Sequence, residues 1–168
     1  PPAVIYYTTD GTIPTSTTAL RYQRPIAIGS TTVVRAAAFQ PRMRRSLVST
    51  HTYIFPTSVT DQPQEPAGFP DKWDSLTADY AMDPRITQDT AYRADLLQGL
   101  RTIPTMSIAM PQTDLFGPNG IYSHPMDHGE SWERATSLEL IQSDGSQGFQ
   151  IDCGLRIYGG FGRNRIFP

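Results

Sequence analysis

The chain has 168 residues, room for one ordinary domain or, as expected here, two small units, and its 14 basic against 16 acidic side chains leave a net charge of −2. That balance gives no cationic surplus to neutralise a phosphate backbone, so nucleic acid is excluded as the expected main partner. Fifteen prolines, 13 glycines and a single lysine, Lys72, favour turns and strands over long helices, and no run reaches the roughly 18 apolar residues of a membrane span.

The chain opens Pro1-Pro2 with no Met and no leader-like stretch, and is expected to be a fragment or processed piece. Residues 4–9 alternate Val4, Tyr6 and Thr8 against Ile5, Tyr7 and Thr9, the pattern of a half-buried strand. Asp10-Gly11 ends it: glycine takes a positive φ freely, and Pro14 cannot donate to a ladder. Asp10 could serve as a ligand for calcium or a sugar hydroxyl, but an acid before glycine more often bonds its own backbone, and the turn is the expectation. Tyr6 and Tyr7 could form a sugar platform, yet strand tyrosines are commonly core, which is the reading adopted.

Further strands are expected over residues 31–39, with small alanines suited to close sheet packing, and 49–55. Three short strands with turn signals inside 55 residues point to a small immunoglobulin-like β-sandwich. Residues 56–74 hold four prolines among polar residues, the composition of a semi-stiff, extended linker, and the proline-rich stretch is taken to run to residue 88. One helix follows, capped by Asp89 or Thr87, with Tyr92, Leu96 and Leu100 at helical spacing and Gly99 with Pro104 ending it.

Residues 105–110 alternate Met106, Ile108 and Met110 on one face, a strand that Pro111 stops. Beyond two loops, strands over residues 134–142 and 148–158 flank "SDGSQG", a hairpin-closing sequence. Phe149, Ile151, Cys153, Leu155 and Ile157 share one face. Cys153, the lone thiol, is therefore expected to be a buried small apolar residue.

Two loops carry candidate chemistry. His124, Asp127, His128, Glu130 and Glu133 are metal-capable, but Pro125 and Gly129 oppose the helix that would make the two rings converge, so a solvated loop is expected and no metal site is assigned. Trp132 is expected to anchor the core, with Glu133 and Arg134 pointing oppositely. In "GGFGRNR", residues 159–165, Gly160, Gly162, Arg163 and Arg165 combine glycine freedom with guanidinium groups, the ingredients of a phosphate contact, although a plain closing turn satisfies the same sequence. No catalytic residue can be assigned, because nothing fixes a nucleophile, base and orienter among these polar loops.

Two stretches resemble known families. "IYYTTDGTIPTSTTALRYQRPIAIGSTTVVRAAAF" closing with "STHTYIF" resembles the chitobiase/β-hexosaminidase C-terminal module, a fibronectin-type-III-associated repeat, through Tyr6, Tyr7, Thr8, Asp10, Gly11, Pro14, Thr15, Tyr22, Pro25, Val34, Arg35, Thr52 and Tyr53. "IPTMSI", "GIY", "WER", "LEL" and "GLRIYGG", within residues 96–168, resemble the amino-terminal part of CotH-like proteins, the spore-coat protein H kinase family. The resemblance implies residues 1–55 as an accessory or spacer module, 56–88 as linker and 89–168 as the truncated start of a kinase-like domain. It further implies a secreted or cell-surface bacterial protein that contacts polysaccharide or a surface protein. Cofactors are expected to be none in this chain, with ATP and a divalent metal implied for a longer parent acting as an atypical protein kinase, its acidic catalytic residues lying further on.

Overall fold

The computed structural model describes residues 2–73 and 76–160. Among them nine strands lie in three antiparallel sheets and the helices are short, the mainly β class expected from the sequence. The first sheet has the order β2-β1-β3-β4, from β1 (Val4–Thr8), β2 (Leu20–Arg21), β3 (Thr32–Phe39) and β4 (Ser49–Tyr53). The four strands within the first 55 residues thus form one layer. Register places Tyr6 opposite Ala37 and Tyr7 opposite Ala36, so the two tyrosines leave on opposite faces. Tyr6 meets Phe39 edge-on at 5.5 Å, and Tyr7 meets Tyr22 at 6.4 Å. At the turn, Thr12 donates its N–H (3.0 Å) and hydroxyl (2.6 Å) to Asp10 Oδ1, and Gly11 takes φ 78°. Asp10 is consumed by its own turn.

Residues 56–88 depart from the extended linker. Pro56 starts helix α1 (Pro56–Thr60), and β5 (Lys72–Trp73) pairs with β6 (Leu76–Thr77). Aromatic spacing is the physical reason: Phe69 and Trp73 each meet Tyr80 edge-on at 5.2 Å, Trp73 Nε1–H donates to the Tyr80 hydroxyl (3.1 Å), and that hydroxyl donates to the Pro70 carbonyl (3.1 Å). Phe69 also touches Phe116, which touches Tyr122, so this stretch is tied to the chain that follows.

Asp83 caps α2 (Pro84–Thr87), and Asp89 caps α3 (Thr90–Thr102) by accepting the Ala91 N–H at 2.8 Å. Gly99 does not end α3, as its spacing suggested. It sits inside the last turn and Pro104 sets the stop. Tyr92 is exposed, because Arg93, reaching Asp61 at 2.8 Å, is the residue that fastens α3 to the end of α1.

The third sheet has the order β7-β8-β9, from β7 (Thr105–Ala109), β8 (Arg134–Ile141) and β9 (Gln147–Leu155). Its register sorts side chains into rows: Ser107–Glu139–Gln150 and Ala109–Ser137–Asp152 on one face, Met106–Leu140–Phe149 and Ile108–Leu138–Ile151 on the other. The polar face is the covered one. Ser137 and Glu139 are buried, while Met106 is 58% and Ile108 49% exposed. Cys153 lies on the apolar face and is half-buried rather than buried; its cross-strand partner Thr136 is covered, while Ile108 and Ile151 farther along that face are exposed.

The first sheet reaches the polar face by its open edge. Thr52 on β4 donates its N–H to Glu139 Oε2 at 2.7 Å, and its hydroxyl meets the Ser107 hydroxyl at 2.7 Å. Where the chain enters β4, residues 47–49 line a hollow with Gln150 and Asp152. Arg35, on β3 opposite Thr50 of β4, is buried and donates to the Gly11 carbonyl at 3.0 Å. Burial disfavours its charge, and the nearby Asp152 carboxylate opposes that effect.

Candidate functional site

A recess of about 600 Å³ forms where the loop between α4 (Gln112–Phe116) and β8 meets the chain leaving β9. The loop's path depends on glycine: a Cβ on Gly120 would overlap the Leu115 carbonyl, so only glycine lets the chain fold back on α4 at that point. Arg134 then fixes the loop's far end by donating to the carbonyls of Asn119 (2.6 Å) and Ser131 (3.0 Å), with its guanidinium 5.2 Å from the Trp132 ring centre.

The floor is apolar, from Ile121, Leu155 and Ile157, and the walls hold His124, Asp127, His128, Trp132, Arg156 and Tyr158. His124 lies 4.9 Å from Trp132 and places one ring nitrogen 2.7 Å from the Pro118 carbonyl oxygen and the other 3.4 Å from Asp127. Arg156 reaches Glu133 at 3.3 Å, and Gly154 makes this possible, because a Cβ there would overlap the Glu133 side chain. A recess of this size, with an apolar floor and convergent polar groups, suits a small molecule having one apolar and one hydrogen-bonding side.

The loop expected to be merely solvated therefore shapes a concavity through His124, Asp127 and His128, whereas Glu130 and Glu133 are exposed and do not line it. Among the described residues no three His, Cys, Asp or Glu side chains converge as a group that could hold a metal ion. Trp132 is a half-buried wall, clasped by His124 and Arg134, and not a core anchor. Of the residues assigned to phosphate contact, Gly160 follows the rim residue Gly159 in an exposed bend, while Gly162, Arg163 and Arg165 lie outside the described residues. Sequence reasoning passed over Arg156 and Tyr158. The usable signal was the alternation in "GLRIYGG", which sets both opposite Leu155 and Ile157.

The first sheet and its Asp-Gly corner form a small β-module joined through Thr52 to a second β-rich unit. Residues 1–53 match the family model described as Fn3 associated. No curated protein and no solved structure matches the chain.

Proposed function

We propose that the chain is a non-catalytic accessory region of a secreted or cell-surface bacterial protein related to the CotH-like family, in which the Fn3-associated sheet is a spacer. The carrying observation is the joint at Thr52, whose N–H is taken by a buried carboxylate 87 positions away. A spacer that sets position needs such a joint, because a free edge strand would leave the two units to swing independently. Contact with polysaccharide is assigned to the outer face of the first sheet, where Tyr22 and Tyr53 are exposed. Affinity electrophoresis against chitin, cellulose and peptidoglycan tests it: retardation that Tyr22→Ala/Tyr53→Ala abolishes supports sugar contact, and no retardation leaves the spacer role alone.

A second reading concerns a longer parent, an atypical protein kinase moving phosphate from ATP with a divalent metal to secreted or coat proteins. It is favoured by Arg156 and Gly159 lining one recess with His124 and Asp127, immediately before Gly160, Gly162, Arg163 and Arg165, the proposed phosphate contacts. Phosphoryl transfer needs metal-holding carboxylates and a positioned base, so no step is derived for the residues present. Calorimetry discriminates: absent or millimolar ATP affinity here with clear affinity in a longer chain fits, and tight metal-dependent binding by these 168 residues contradicts it.

A further inference from the structure

The near-neutral total conceals a division of charge. Residues 1–60 carry six arginines against one carboxylate, Asp10, a net of +5, and the remaining residues carry eight basic and fifteen acidic side chains, a net of −7. Between residues 11 and 60 there is no acid at all. Among the described residues no ion pair engages Arg21, Arg24, Arg42, Arg44 or Arg45.

The antiparallel register gathers most of this charge at one end of the first sheet. Phe39 pairs with Val4, so the loop of residues 40–48 projects beyond the start of β1; Arg21 pairs with Tyr6, and the chain then runs past that same end to Arg24. The loop is built rather than loose. Ser46 N–H donates to the Ala38 carbonyl at 3.0 Å, its hydroxyl oxygen accepts the Ala38 N–H at 2.9 Å, and Met43 N–H closes a turn on the Gln40 carbonyl at 3.1 Å, with Arg42 at φ 64°. This turn holds two apolar side chains in water beside the arginines: Met43 is 65% exposed and Leu47 86%.

We propose that this tip is a docking site for an anionic lipid surface. Guanidinium groups recognise lipid phosphates, and the local charge is complementary to an acidic leaflet. The apolar pair decides between lipid and a soluble polyanion. Methionine and leucine gain by entering the boundary between headgroups and acyl chains, whereas a soluble polyanion offers them no apolar phase. The inference does not depend on the spacer reading and involves neither the recess nor the joint at Thr52.

Co-sedimentation of the full chain with phosphatidylcholine vesicles, with and without phosphatidylglycerol, tests it. Binding is expected on the phosphatidylglycerol vesicles alone and is expected to fade as salt is raised. Arg42→Gln/Arg44→Gln/Arg45→Gln should weaken it about a hundredfold, at roughly fivefold per charge. Met43→Ser/Leu47→Ser should weaken it about tenfold and leave retention on soluble polyphosphate unchanged. Equal binding to both vesicles, or wild-type partition by the triple arginine variant, overturns the proposal. So does a Met43→Ser/Leu47→Ser variant that binds vesicles as wild type does, which would make the tip a general polyanion site. Circular dichroism confirms that these exposed-loop variants fold.

Discussion

The carboxylate of Glu139, buried on the second unit, accepts the backbone N–H of Thr52 on the edge strand of the first at 2.7 Å. An edge strand offers a row of unpaired N–H and C=O groups, and a buried acceptor aimed at one of them closes it. Glu139→Ala leaves that donor without a partner inside the joint and should cost about 1–3 kcal/mol in urea unfolding. Glu139→Gln keeps an acceptor oxygen and should cost roughly half as much, the share owed to charge. An alanine variant as stable as wild type contradicts the closed edge.

Acid should weaken the fold through three self-contained turns. The Thr12 hydroxyl holds Asp10 below its ordinary value of 3.8, Arg85 does so for Asp83, and the Ser146 hydroxyl for Asp144. A carboxylate whose folded value is depressed stabilises the fold above its unfolded value and loses that contribution as pH falls through the folded one. The urea midpoint should therefore decline below about pH 4. Asp10→Asn, which can still accept from Thr12 but carries no charge, should flatten part of that decline and lower neutral-pH stability by the same small amount. An unaltered acid limb in this variant contradicts the assignment.

Gly120→Ala places a methyl group against the Leu115 carbonyl, where backbone has little room to yield. The loop carrying His124 should shift and Trp132 lose its neighbour, at a cost of about 1–3 kcal/mol. Intrinsic fluorescence in a Trp73→Phe background, where Trp132 is the remaining tryptophan, reads its environment. An emission spectrum identical to that of the background means the loop has another path.

The rows Met106–Leu140–Phe149 and Ile108–Leu138–Ile151 face water on the third sheet. The native chain should bind anilinonaphthalene sulfonate without denaturant, and Ile108→Thr/Ile151→Thr should reduce that signal. Each residue is about half exposed, so the stability cost should stay below about 1 kcal/mol per site. No native-state dye binding contradicts an open apolar face.

Local chemistry was legible in the sequence and long-range assembly was not. Strand alternation located β1, β3, β4, β8 and β9, because a half-buried pleat imposes a period of two. Asp89 as cap and Asp10 as turn acid were readable for the same reason: each bonds a neighbour two residues on. Glu139 was hidden within "LEL", an ordinary alternation that carries no sign its polar face would be the buried one. The recess joins residues 121–132 to 154–159, a meeting set by strand register. Trp73 and Tyr80 misled through their setting, since prolines spaced among polar residues read as linker while three aromatics sufficed to fold it.

Hydrogen exchange at the Thr52 amide tests the joint most directly, because that N–H belongs to an open edge unless Glu139 takes it. Slow exchange in the wild-type chain, comparable to the inner strand β3 and lost in Glu139→Ala, is the expected result. Exchange at the rate of an unprotected amide in the wild-type chain would contradict the mounting of the first sheet on the second unit.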